Sequence, residues 1–165
     1  SAASDVYKRQ VLSCLRKSRQ LFYLQRRNMQ QQYLDRFVGI PYKFLGIDYD
    51  GVDCIGLCQL FYFEHGICLE WRDGREIEQD WYVKEPFRLV RFLHLHFNKL
   101  KNMDDMKYGD IALFEINGEG HTGVYVGNGK VLTILKQFKS SMIMRLNVGN
   151  TFFMGGYRLK EGELC

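Results

Sequence analysis

The sequence predicts one α+β domain in which helices come first and an antiparallel sheet follows. Three observations support this. Apolar residues recur at helical spacing up to about residue 100, change to short strand-length runs after Asp110, and those runs are separated by turns rich in Gly and Asn. A chain of 165 residues with an apolar share of 46% fits a single core.

Tyr33, Leu34, Phe37 and Val38 stand at helical spacing within residues 30–38, and Gly39 is a stop. Pro41 keeps Ile40 out of the helical region, so Ile40-Pro41-Tyr42 reads as extended. Residues 45–53 form a loop rich in Gly and Asp. From Cys54 to His65 the residues are apolar on almost every side, which predicts a central buried helix capped by Asp53 and ended by Gly66. Residues 67–84, charged and aromatic, read as a loop over one face. Glu85-Pro86 opens a second helix to about Leu100. Strands are then expected at Asp110–Ile116, His121–Val126, Val131–Leu135, Met142–Leu146 and Gly156–Leu159, with turns at residues 117–120 and 127–129. The product is a meander of five to six strands.

The formal charge of +4 is misleading. Residues 1–28 carry seven Lys or Arg against one acid, leaving 16 basic and 18 acidic residues, a net of −2, over residues 29–165. The body thus lacks the basic surplus that drives nucleic-acid binding. Residues 1–10 resemble the translation of a transposon-type sequencing adapter. Residues 1–28 are therefore read as a leader foreign to the natural protein, and residues 29–165 as one domain beginning at Met29. A basic amphipathic helix over residues 12–36 is the alternative. No apolar run approaches the roughly 20 residues that span a bilayer, and the N-terminus lacks the pattern of a secretory signal.

Five cysteines, an odd number without a framework spacing, suggest a reduced chain. Cys54, Cys58, His65 and Cys68 are close enough in sequence to raise a zinc site. No Cys-x-x-Cys pair exists and the segment is apolar, so neither metal nor cofactor is expected. Cys54 stands instead at the first turn of the predicted helix, where unpaired N–H groups and the helix dipole should lower its thiol pKa. The competing reading makes it a small buried hydrophobe, like Cys58 and Cys68. Of the four histidines, His121 is best placed as its base, at the start of a strand after a Gly-rich turn. His94 and His96 point to different faces of one helix. His65 is about three turns from Cys54, roughly 16 Å at 1.5 Å per residue.

These residues carry a resemblance. Pro41-Tyr42 followed by Gly51-Val52-Asp53-Cys54-Ile55-Gly56-Leu57 resembles the nucleophile region of the NlpC family of cell-wall cysteine peptidases. Tyr108-Gly109-Asp110-Ile111 with Phe114 resembles that family's strand before the histidine. His121-Thr122-Gly123-Val124-Tyr125-Val126-Gly127-Asn128-Gly129-Lys130 resembles its histidine hairpin. The match covers about residues 33–146, in order. The Ile-Pro-Tyr lead-in, and Ile55 where many relatives have serine, are most similar to the phage branch associated with tails.

The resemblance implies a papain-like core, N-terminal helices packed on the antiparallel sheet, and hydrolysis of an amide in a peptidoglycan stem peptide, often after D-glutamate. It implies Cys54 as nucleophile, His121 as base, and Tyr42 near the thiol, where its hydroxyl bonds thiolate or substrate or only packs. The oxyanion would be met by backbone N–H groups at the helix start, with Asp53 chiefly a cap and Asp110 a turn residue. The family's third polar residue falls twelve positions after the histidine, at Thr133. A threonine hydroxyl accepts a hydrogen bond from Nδ1–H but carries no charge to stabilise imidazolium, so weaker activation is expected. Gln137 is a less apt substitute. Partners are then peptidoglycan and phage tail proteins, with no nucleic acid and no membrane span. Synthesis is expected in the cytoplasm, and action at a cell wall or in a virion. A silent binding module, and an acyltransferase or amidase using the same pair, are the other functions.

Overall fold

The structure is a computed structural model of the 165-residue chain. It describes residues 33–69, 77–79, 84–85 and 87–161. The leader expected at residues 1–28 lies outside them, as does most of the loop expected at residues 67–84. The chain divides into two units, Ser1–Arg36 and Phe37–Cys165. In the first, residues 33–35 are helical and the Arg36 guanidinium stands 5.6 Å from the Tyr33 ring centroid. All that follows concerns the second.

The loop expected at residues 45–53 contains a hairpin of two-residue strands, β1 (Ile47–Asp48) and β2 (Gly51–Val52). Asp48 Oδ1 accepts the N–H of Asp50 at 3.0 Å and closes its turn. Helix α1 (Cys54–Phe63) begins directly after it, with Asp53 as N-cap and seven buried residues on several sides, as its apolar sequence requires. Gly56 is the residue that lets hairpin and helix meet. A Cβ there would stand 1.8 Å from the carbonyl oxygen of Gly46, so only glycine allows the approach.

Helix α2 (Arg88–His96) is shorter than expected and passes directly into strand β3 (Phe97–Lys99). Phe97 is already extended, at φ −129° and ψ 152°. Residues 97–99 leave the helix because the last strand offers their backbone a partner, with Phe97 opposite Leu159. Strands β4 (Ile111–Ile116), β5 (Glu119–Gly127), β6 (Lys130–Ile134) and β7 (Ser141–Arg145) form the expected meander. Asn117-Gly118 and Asn128-Gly129 make its first two turns, all four residues at positive φ.

Strand β8 (Thr151–Leu159) is longer than expected and does not continue the meander. It crosses to pair with β4, giving a six-stranded antiparallel sheet of order β3-β8-β4-β5-β6-β7. Alternation places Ala112, Phe114, Ile116, Val131 and Leu135 in a cluster on one face of the sheet. Thr122, Val124, Leu132 and Ile134, all nearly inaccessible, belong to the other face, to which α1 is joined.

Asp110 anchors the start of β4 and is 5% exposed. Its carboxylate accepts the Lys107 N–H at 2.7 Å and a forked pair of bonds from Arg158 Nη2 (2.7 Å) and Nε (3.1 Å).

Candidate active site

The site forms where the start of α1 meets the start of β5. Asp53 organises the helix end. Its Oδ1 accepts the N–H groups of Ile55 (3.1 Å) and Gly56 (2.7 Å), and its Oδ2 accepts that of Leu45 (3.0 Å). Tyr42 comes alongside through a parallel bridge to Val52, two residues before Cys54.

Thr122 joins helix to strand. Its hydroxyl donates to the carbonyl of Cys54 at 3.1 Å, so the residue following His121 is bonded to the backbone of Cys54 itself. Its N–H and hydroxyl also lie against the Cys54 thiol and favour the thiolate. They are outweighed. Burial, reinforced by the charge of Asp53, pushes the thiol up to about 11. This reverses the expectation of a thiol lowered by the helix start: burial dominates, and the Asp53 carboxylate, which takes the N–H groups of Ile55 and Gly56, adds like charge beside the sulfur. Cys54's own N–H is directed at its thiol.

His121 is 17% exposed in its side chain, and its ring stacks on Phe114 with centroids 6.1 Å apart. Burial holds its imidazole below its ordinary pKa, against an opposing pull from Glu119. Nε2 is 3.8 Å from Glu119 Oε2. No hydrogen bond joins the Cys54 thiol and the His121 imidazole among the bonds of the described residues. Beside the ring opens a cavity of about 300 Å³, lined by Glu119, His121, Leu135, Lys136 and Gln137.

Thr133 is fully buried, and its hydroxyl donates to the carbonyl of Thr122 at 2.7 Å. It thus braces the backbone next to His121. Gly123 makes room for it: a Cβ there would lie 3.0 Å from that of Thr133 and 2.8 Å from the carbonyl of Leu132. Cys54 and Cys58 are free thiols, Cys58 buried, whereas Cys68 departs from the reduced state expected of the chain and is disulfide-bonded. Among the described residues no group of three or more His, Cys, Asp or Glu is arranged to hold a metal.

Two participants escaped the sequence reading. Thr122 is signalled only by alternation, as the neighbour of His121 that must face α1. Glu119 is signalled by standing two residues before His121, on the same face of β5.

A buried helix whose first residue is tied through its carbonyl to the second strand of an antiparallel meander is the papain-like arrangement. The chain belongs to the NlpC/P60 family, whose model matches residues 39–154. This is a family of cell-wall peptidases, typically cysteine peptidases. The chain is 31% identical over 133 residues to a γ-D-glutamyl-L-lysine dipeptidyl-peptidase of Bacillus subtilis (strain 168), covering 78% of itself and 36% of that protein. It thus spans about a third of the length of that relative. Its fold is similar to NlpC2 of Trichomonas vaginalis, with a TM-score of 0.59 at 19% identity over 79% of this chain and 44% of the other. It is similar also to RipD of Mycobacterium tuberculosis, described as a non-catalytic NlpC/p60 domain protein adapted to peptidoglycan binding. That TM-score is 0.51 at 14% identity, covering 80% and 96%. No helix among the described residues is long and apolar enough to cross a membrane.

Proposed function

We propose that this protein is a cysteine peptidase that hydrolyses an amide bond in peptidoglycan stem peptides, with Cys54 as nucleophile and His121 as general base. The observation that carries this reading is the bond from Thr122 to the Cys54 carbonyl, which fastens the nucleophile's helix to the histidine's strand. With the thiol raised and the imidazole lowered, both are neutral near pH 7. The proton of Cys54 then passes to His121 as the sulfur attacks the carbonyl carbon. The oxyanion is met by backbone N–H, that of Cys54 first. Imidazolium gives its proton to the leaving nitrogen as the C–N bond breaks, and water activated by the same ring releases the acyl-enzyme. In this reading Tyr42 contacts thiolate or substrate, Thr133 steadies the histidine strand, and Asp53 holds the helix start.

Scission after D-glutamate is supported by the name of the Bacillus relative. A phage-tail setting is supported by the Ile40-Pro41-Tyr42 lead-in and Ile55 alone. The test is incubation with a stem peptide containing γ-D-glutamyl-L-lysine and product mass analysis. Cleavage by the wild type, lost in both Cys54→Ala and His121→Ala, is expected. A second reading, a silent module that binds peptidoglycan, is favoured by the raised thiol and the uncharged Thr133. Retention on insoluble peptidoglycan with every stem peptide left intact would select it.

A further inference from the structure

We propose that Glu119 is the positioning residue of His121, supplying from the same strand the negative charge that Thr133 lacks. The inference rests on the Cys54–His121 reading above. Position 133 holds a neutral hydroxyl whose hydrogen is committed to the Thr122 carbonyl at 2.7 Å, inside a fully buried site. It has no charge to offer an imidazolium. Glu119 lies two residues before His121, so alternation puts both side chains on one face of β5, and its Oε2 stands 3.8 Å from Nε2.

That distance is ion-pair range rather than a hydrogen bond. It orders the tautomer nonetheless: Nε2 carries the hydrogen toward the carboxylate, and Nδ1, in place of the Nδ1–H bond to Thr133 that the resemblance implies, keeps the lone pair that receives the Cys54 proton. When that proton arrives, the charge on the ring appears beside a carboxylate. When it leaves on the amine nitrogen, the ring returns to the same tautomer. Among the described residues the other charged groups facing this corner are Lys136, across the same cavity after β6, and Asp53, behind Cys54 on the α1 side. Phe114 of β4, and Leu135 and Gln137 after β6, face the ring without charge. Lys136 opposes the imidazolium, which leaves Glu119 as the acid bordering Nε2.

The carboxylate is 62% exposed, so its effect is modest and screened by salt. The experiment is an NMR titration of the His121 ring in the full chain, paired with kcat and KM against pH on a γ-D-glutamyl-L-lysine stem peptide. Glu119→Gln is expected to move the His121 pKa and the acid limb of activity downward and to cut kcat about fivefold with KM held. Glu119→Asp should recover part of both. Added salt should slow the wild type and leave Glu119→Gln unchanged. An unmoved His121 pKa in an active Glu119→Gln variant overturns the inference alone. So does a shift that appears in Thr133→Val instead. A chain that cleaves nothing while Glu119→Gln still moves the His121 pKa overturns the peptidase reading and leaves the coupling standing.

Discussion

Replacing Thr122 by valine removes one hydroxyl and almost nothing else. Thr122 is 1% exposed, and its hydroxyl donates to the Cys54 carbonyl at 3.1 Å while lying against the thiol. Losing a bond of this kind costs about 1–2 kcal/mol of unfolding free energy, a fall of roughly 3–6 °C in Tm for a unit of this size. The effect on the thiol has a definite sign. Thr122 is among the groups that lower the Cys54 pKa, so removing its hydroxyl lifts the thiol further above about 11. A loss of about 1 kcal/mol in thiolate stabilisation is about 0.7 of a pKa unit, or a fivefold smaller thiolate fraction at pH 8. Iodoacetamide labelling resolved by peptide mass measures this for Cys54 separately from Cys58. Thr122→Ser keeps the hydroxyl and should restore both rate and Tm. If Thr122→Val and wild type gave superimposable labelling rates across pH 7–10 and equal melting curves, the bridge between helix and strand would be refuted.

Two other outcomes follow from the same electrostatics. Because burial lowers the His121 pKa, the neutral base persists below pH 6.5, so the acid limb of kcat/KM should fall under the ordinary histidine value; a limb above 6.5 contradicts the buried imidazole. Asp53→Asn removes the like charge beside the sulfur and should lower the Cys54 labelling midpoint, while costing about 1 kcal/mol in a urea melt because Leu45 N–H loses its Oδ2 acceptor; an unchanged or raised midpoint would show that burial alone sets the thiol.

Much of the fold was legible because it is written in local chemistry. Asp53 before an apolar run fixed the start of α1, and the two Asn-Gly pairs fixed the β4–β5 and β5–β6 turns. What stayed hidden depends on partners distant in sequence. Residues 97–99 continue the apolar pattern of α2, yet become strand because β8 is there to bond them. The β8 crossover to β4 is not encoded in any turn, since both edges of the meander offer equal backbone. The places of Cys54 at the first turn of α1 and of His121 near the start of β5 were legible from the cap and the Gly-rich turn before them. Thr122 and Glu119 were not, because each acts through a neighbour that only the packed sheet supplies. The raised thiol is hidden for a related reason: its main cause is burial, which only packing supplies, with the Asp53 charge at the filled helix start second.

That competition at the helix start defines how the pair must work. Asp53 takes the N–H groups of Ile55 and Gly56, so a carboxylate already occupies the positive end of α1. A resting thiolate would be a second anion against it, and a resting imidazolium would be a cation in a buried ring; each alone is disfavoured. Formed together, as the proposed mechanism requires, the two charges stabilise one another and the carbonyl takes the electron pair as it appears. On the proposed mechanism the site therefore resists ionising in water and would ionise on substrate. This protects the sulfur from alkylation and oxidation at rest, and it places the burden of charge stabilisation on whatever borders the imidazole. Thr133 offers no charge there, so under the proposed mechanism the rate would depend on the carboxylate two residues before the histidine.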